Sequence, residues 1–166
     1  MRAILTKNKL DNWKDSIKKM AIHNLNTSGY LAPVILLLIQ EGDSIRQDIL
    51  DISQALDSEK HKDMLSNIVK KICKSKKVLA MATLTEAWAA ELKKGEDPNN
   101  TIRPRYRKDR KEIISISFET PFTTEAYMYN IIQKGKKKEV DESSKVVTND
   151  IGGRFANMLA KELIQN

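Results

Sequence analysis

The densest group of chemically capable side chains in the sequence is a basic cluster with one aromatic residue inside it. Its members are Arg103, Arg105, Tyr106, Arg107, Lys108, Arg110 and Lys111. Guanidinium groups bind phosphate oxygens in a forked geometry, and an aromatic ring among them can stack on a nucleobase. We therefore predict that this segment contacts single-stranded nucleic acid or an acidic protein. A solvated basic loop, weakened in charge by Asp109 and Glu112, is the alternative interpretation.

A second basic run follows later in the chain and has a different context. It comprises Lys134, Lys136, Lys137 and Lys138. Acidic residues come directly after it and partly neutralise its charge, and apolar residues are scarce. Such a composition is typical of a solvated loop. We therefore predict a charged, flexible loop over 134–145 and no binding role.

Three carboxylates are the candidates for catalysis, namely Glu86, Asp109 and Glu112. Glu86 stands in an otherwise apolar segment, where an unpaired charge is costly, so it needs a cation such as Arg110 or a neighbouring arginine. Paired carboxylates beside a phosphate-binding arginine could hold Mg²⁺ for phosphoryl chemistry. A structural ion-pair network is the favoured interpretation, and the catalytic residues remain unknown.

Cysteine and histidine are too sparse for the common metal and nucleophile sites. Cys73 is the only cysteine, which excludes an internal disulfide, and a zinc site would need four N or S ligands from Cys73, His23 and His61. Cys73 is expected to be a small buried hydrophobe, and the histidines to be surface or capping residues. No metal site and no cofactor are predicted. Gly152-Gly153 lacks the lysine spacing of a phosphate-binding loop.

Periodicity places these residues on helices, strands and a loop. Apolar residues spaced by three and four predict helices at 7–25, 58–76 and 154–165. Alternating or continuous apolar runs predict strands at 31–39, 44–50, 78–88, 113–118 and 125–133. The run 44–50 also fits one helical face, and 78–88 also has good helix propensity. Prolines, glycine and asparagines predict a long basic loop over 92–111.

These elements predict an α+β fold over residues 1–166 as a single domain. The sheet is expected to be largely antiparallel, with four to five strands and three helices. Glu86, Trp88, Asp109, Arg110 and Glu112 would gather where the central strand ends and the next strand begins.

The order of these segments resembles an uncharacterised family of small bacterial and phage proteins. The resemblance covers about residues 29–133 and rests on Tyr30-Leu-Ala-Pro-Val-Ile, a helix, Thr85-Glu-Ala-Trp88, and a proline-containing loop that closes on Asp109-Arg-Lys-Glu-Ile113. It implies that Glu86, Trp88, Asp109, Arg110 and Glu112 act as a group. The family carries no activity that could be transferred.

Composition limits the remaining function classes. The 166 residues carry a formal net charge of +7, which favours acidic partners or polyanions. The first twenty residues lack the apolar run of a secretory signal, and no apolar run is long enough for a membrane span. We expect a cytoplasmic protein, or one of host cytoplasm or virion if phage-encoded. The oligomeric state stays open, and a homo-oligomer is allowed.

The sequence therefore predicts a non-enzymatic binding or interaction protein, of the kind that phages and mobile elements encode. Its basic loop would contact nucleic acid or an acidic protein. One alternative is a metal-dependent enzyme acting on a phosphate-containing substrate. The other is a structural or self-assembling subunit that uses the exposed helix bearing Trp13 and the edges of loops.

Overall fold

The computed structural model describes residues 5–97, 100–149 and 158–159, and it is built around one six-stranded sheet. The strands are β1 (Val34–Glu41), β2 (Ser44–Asp51), β3 (Lys77–Ala89), β4 (Lys111–Glu119), β5 (Thr124–Lys134) and β6 (Lys137–Thr148). Their order across the sheet is β2-β1-β3-β4-β5-β6, and every neighbouring pair is antiparallel. The predicted α+β class and antiparallel sheet are confirmed.

Helix α1 (Lys7–Ser28) covers one face of the sheet, which we call the α1 face. Thr6 caps its start by accepting a hydrogen bond from the Lys9 backbone N–H, and Gly29 ends it in the left-handed conformation. One side of α1 is buried against apolar side chains from β1, β3, β4, β5 and β6. Asn26 near its C-terminus accepts the Val140 backbone N–H at 2.8 Å, so α1 also fixes β6.

Helix α2 (Glu59–Ser75) packs on the opposite face, which we call the α2 face. Ser58 caps it by accepting the His61 backbone N–H at 3.1 Å. Val69 is fully buried against the α2-face residues of β1 and β3. Cys73 is partly buried in the same cluster, and burial raises the pKa of its thiol to about 11. A thiol with that pKa is protonated near neutral pH, in agreement with the structural role expected for Cys73.

The strand predictions for 44–50 and 78–88 are confirmed. The turn between β1 and β2 contains Gly42 with a φ of 61°, a conformation that glycine adopts without steric cost. Strand β3 lies between β1 and β4 and is buried on both faces along its first half. Burial of this kind explains its nearly continuous apolar sequence.

Two predictions about the second half of the chain need correction. The sheet has six strands rather than four or five, because residues 137–148 form β6 and not a flexible loop. Gly135, with a φ of 61°, turns the chain back so that β6 pairs with β5. At the edge of a sheet a strand can keep most side chains in solvent, so the charged sequence of β6 resembled a loop.

The third predicted helix, at 154–165, lies outside the described residues apart from Met158 and Leu159, which are buried and not helical. The described residues contain two α-helices. Neither has a stretch apolar enough, over sufficient length, to span a bilayer. Between β3 and β4, the described part of the basic loop has one short 3-10 turn, Pro104–Tyr106.

Candidate nucleic-acid interface

A cleft of about 420 Å³ lies between the end of β3 and the 3-10 turn. We call it the arginine cleft, and it is lined by Glu86, Ala87, Trp88, Arg103, Pro104 and Arg105. It forms here because β1 begins at Val34, which pairs with Leu84, so β3 runs on beyond its described β1 partners. The basic loop packs beside this extension of the strand. Residues that are distant in sequence are thereby brought to one surface.

Trp88 is the aromatic wall of the arginine cleft and is 44% exposed. The guanidinium carbon of Arg110 lies 4.4 Å from the centroid of the indole ring, within cation–π range. Arg110 also donates a hydrogen bond to the backbone carbonyl of Arg105. Arg110 therefore links the indole to the loop and holds the 3-10 turn near the end of β3.

Arg103 and Arg105 supply the positive charge of the cleft. Neither has a carboxylate within salt-bridge distance among the residues that the structure describes. The Arg105 guanidinium lies 5.8 Å from the ring centroid of Tyr106, and Tyr106 is 70% exposed. These two arginines can therefore bind an external anion without giving up an internal ion pair.

Arg107 has a different environment, although the sequence placed it in the same cluster. It donates two hydrogen bonds to Asp109, at 2.8 and 2.9 Å, and a third to Glu96 at 3.2 Å. Its side chain is only 9% exposed. The hydrogen bonds from Arg107 lower the pKa of the Asp109 carboxyl to about 2. Arg107 therefore ties the two ends of the loop together, and its guanidinium is already occupied.

The two lysines of the predicted cluster lie on the surface. Lys108 is exposed and has no carboxylate within salt-bridge distance in the described part of the chain. Lys111, at the start of β4, is 3.9 Å from the carboxylate of Glu91, which is itself 93% exposed. A pair at that distance in solvent is weak. Both lysines can add to the positive potential around the cleft.

Each of the three candidate carboxylates has a different partner. Glu86 accepts the backbone N–H of Leu31 at 2.7 Å, Glu112 pairs with Lys138 at 2.7 Å, and Asp109 is held by Arg107. The expected partner of Glu86, Arg110, stacks on Trp88 instead. In the described part of the chain, no three His, Cys, Asp or Glu side chains converge as a metal site would require. Asp109 and Glu112 thus each pair with a cation, whereas Glu86 is held by a backbone N–H.

Glu86 and Glu112 lie close together on the α1 face, since Trp88 pairs with Glu112 and Glu86 with Ile114. Lys138 reaches this pair from β6. The hydrogen bond to Glu112 raises the pKa of the Lys138 ammonium, and the charge of Glu86 adds to the effect. The lysine run that appeared unimportant in the sequence thus contributes to the same end of the sheet.

A second hollow of about 310 Å³ lies next to Lys138, between the C-terminal end of α1 and the β5–β6 turn. We call it the lysine hollow, and it is lined by Asn26, Thr27, Ser28, Gly29, Gln133, Lys136, Lys137 and Lys138. The sequence analysis missed it because the turn was interpreted as a flexible loop. The short connection at Gly135 between two strand-like runs was the signal that could have revealed it.

The structure therefore brings Glu86, Trp88, Arg103, Arg105 and Arg110 together, and it places Arg107 and Asp109 in a separate bracing contact. No protein-family model, curated protein or solved structure matches this chain. The geometry of the two basic hollows is consequently the basis for a functional proposal.

Proposed function

We propose that this chain is a non-enzymatic binding protein that holds single-stranded nucleic acid at the arginine cleft. One observation carries the proposal. An exposed indole stands beside guanidinium groups that have no carboxylate partner among the described residues: Arg103, Arg105 and the ring-stacked Arg110. Exposed aromatic rings next to uncompensated arginines are the combination that single-stranded nucleic acids require.

The chemistry of each group suits a different part of a nucleotide. Arg103 and Arg105 would bind phosphate oxygens with forked hydrogen bonds. Tyr106 and the exposed part of Trp88 would stack on bases, and the planar Arg110 guanidinium extends the stacking surface. Unpaired bases expose both faces, whereas bases in a duplex do not. The cleft therefore favours single strands over duplexes.

The lysine hollow would extend the track for the phosphate backbone. Lys136 and Lys137 are exposed at the β5–β6 turn, and Lys138 connects the hollow with Glu112 beside Trp88. Ammonium groups bind phosphates as point charges without sequence preference. We expect affinity to depend on strand length and salt rather than on base sequence. An acidic protein would use the lysines and arginines but would gain little from the exposed rings.

A salt titration tests the proposal. Binding of labelled oligothymidylate, oligouridylate, a DNA duplex and polyglutamate would be measured by fluorescence anisotropy at several salt concentrations. We expect the single strands to bind most tightly, with log K falling linearly against log salt by about 0.7 per phosphate contact. Absence of salt-dependent binding would exclude the proposal. Tighter binding of polyglutamate would instead identify an acidic protein as the partner.

Variants locate the contact. Replacing both cleft arginines, Arg103→Ala with Arg105→Ala, should reduce the salt slope by about 0.7 for each lost contact. The matched control removes two exposed lysines of α2, Lys60→Ala with Lys71→Ala, which changes the net charge equally on another surface. An equal loss of affinity and salt slope in both double variants would show that binding depends on net charge alone and not on the arginine cleft.

Stacking is tested separately. Trp88→Ala should weaken binding by about 1–3 kcal/mol, the usual contribution of one stacked base. Trp13→Phe leaves Trp88 as the only tryptophan, so its fluorescence should be quenched on binding. Unchanged affinity in Trp88→Ala would show that the Trp88 indole does not contact the nucleic acid.

A further inference from the structure

The two edges of the sheet differ in how they are protected against pairing with another strand. The β6 edge carries Lys137, Lys138 and Lys145, and its pairing with β5 is interrupted by a register shift. Lysines and bulges of this kind prevent edge-to-edge association. Strand β2 has neither lysine nor proline and pairs with β1 without interruption from Ser44 to Asp51. The β2 edge is therefore the edge suited to strand addition.

The backbone direction of β2 shows which residues point along this open edge. Just beyond β2, the Ile52 N–H donates to the Pro33 carbonyl on the β1 side at 3.1 Å. Backbone groups of successive residues in a strand point to opposite sides. The N–H and C=O groups of Ile45, Gln47 and Ile49 therefore point away from β1. These are the groups that an added strand would bond.

The α1 face beside this edge is apolar. Ile49 is 62% exposed, and a groove of about 330 Å³ runs between β2 and the Met20 side of α1. Gln47 is fixed within it, because its side-chain oxygen accepts the Trp13 indole N–H at 2.6 Å. A partner that pairs with β2 would also cover part of this apolar surface.

We propose that the occupant of the β2 edge is a second copy of this chain, related by a two-fold axis through Gln47. In this antiparallel register Gln47 lies opposite the partner's Gln47, and Arg46 lies opposite the partner's Asp48. Ile45 lies opposite the partner's Ile49. Opposite charges meet on the α2 face and apolar side chains meet on the α1 face, each twice by symmetry.

Charge selects this register over its neighbours. An axis through Arg46 or through Asp48 would set that residue opposite its own copy, and like charges directly opposite destabilise a strand pair. An axis that passes between two adjacent residues is also excluded. It would place residues whose backbone groups point towards the partner opposite residues whose groups point back to β1, so the two strands could not form hydrogen bonds. Within one chain, Arg46 now contacts Glu41 at 2.6 Å and Asp48 at 3.0 Å. The side chains in these pairs are 33–60% exposed, so solvent weakens both pairs, and Arg46 can exchange them for the partner's Asp48 at little cost.

A charge exchange tests the register. In sedimentation velocity we expect the wild type at micromolar concentration to show twice the 18.9 kDa of one chain. Arg46→Glu and Asp48→Arg should each be monomeric. An equimolar mixture of the two should dimerise, because the introduced glutamate of one chain then meets the introduced arginine of the other. Lys145→Glu, on the β6 edge, is the control and should remain dimeric. A monomeric wild type, or single variants that remain dimeric, would overturn the proposal.

A cysteine pair provides a second measurement that does not depend on charge. In a Cys73→Ser background, Gln47→Cys should form an oxidised dimer, because directly opposed hydrogen-bonded residues lie about 5.5 Å apart between Cα atoms, a disulfide distance. Ile45→Cys should not form this disulfide. Ile45 of one chain lies opposite Ile49 of the other, so the two introduced cysteines would be four residues apart along the paired strands. Circular dichroism would confirm that each variant is folded. Equal crosslinking of both variants would disprove the two-fold axis at Gln47.

Discussion

At the scale of single residues, arginines with similar sequence contexts have different chemical environments. Arg107 forms ion pairs with Asp109 and Glu96, whereas Arg103 and Arg105 line the arginine cleft. The alternation of charges along the loop did not reveal this division, because ion pairing depends on how the loop folds back. The sequence predicted that five residues gather at one end of the sheet: Glu86, Trp88, Asp109, Arg110 and Glu112. Glu86, Trp88 and Arg110 meet there, and Glu112 is the strand partner of Trp88, whereas Asp109 pairs with Arg107 instead.

Glu86 has a structural role that substitution can measure. Glu86→Ala should lower the free energy of unfolding by about 1–3 kcal/mol, because the backbone N–H of the buried Leu31 loses its acceptor. Glu86→Gln keeps an oxygen at that position and should cost less. Urea denaturation measures both. Glu91→Ala, at a 93% exposed side chain, is the control and should change stability by less than about 0.5 kcal/mol.

The result for the conservative variant is decisive. If Glu86→Gln destabilises the protein as much as Glu86→Ala, the charge of Glu86, through its proximity to Lys138, matters more than the hydrogen bond to Leu31.

At the scale of elements, the basic loop is ordered by its own ion pairs rather than by regular structure. Glu96 near its start and Asp109 near its end both contact Arg107, and the only described helical segment between them is the short 3-10 turn Pro104–Tyr106. Arg103 and Arg105 lie within the segment so closed. The position of the cleft arginines therefore depends on the protonation of two carboxylates.

Acid should open this loop. The pKa of Asp109 lies at about 2, below its ordinary value of 3.8, and the pKa of Glu96 is also lowered. A depressed pKa in the folded state means that the stabilisation is present above pH 4 and is lost as the pH falls towards 2. Asp109→Asn should therefore be cleaved faster than the wild type by an acid protease at pH 4, and the rate ratio should approach one at pH 2.

Dividing the cleavage rate of each variant by that of the wild type at the same pH removes the pH dependence of the protease itself. Asp43→Asn, in the exposed β1–β2 turn, serves as the control and should give a ratio near one at both pH values. A constant ratio for Asp109→Asn between pH 4 and 2 would contradict an ion pair that closes the loop.

At the scale of the whole molecule, the sheet order places the longest-range pairing in the middle. Strands β1 and β3 pair although α2 lies between them in sequence, and β3 and β4 pair across the basic loop. The central strands are buried by α1 on one face and partly by α2 on the other. The edges β2 and β6 carry most of the exposed strand residues.

Hydrogen exchange should follow this layering. We expect the slowest exchange in 81–84 and 113–118, which have a paired strand on both sides, and faster exchange in β6 and the basic loop. Mass spectrometry of peptic fragments measures these rates. Slower exchange in β6 than in β3 would contradict the strand order. Protection of the outward amides of β2 at high protein concentration would instead report pairing between two copies.

Local sequence pattern was sufficient to predict both described α-helices and five of the six strands, because apolar periodicity and turn residues act over short distances. The order of strand, loop and strand also placed Glu86, Trp88 and Arg110 at one end of the sheet. Three features follow only from the folded arrangement: which arginines face the cleft, which carboxylate pairs with which cation, and that the charged run 137–148 is an edge strand. Those features depend on partners distant in sequence, and a solvent-exposed strand needs only a neighbour that supplies backbone hydrogen bonds.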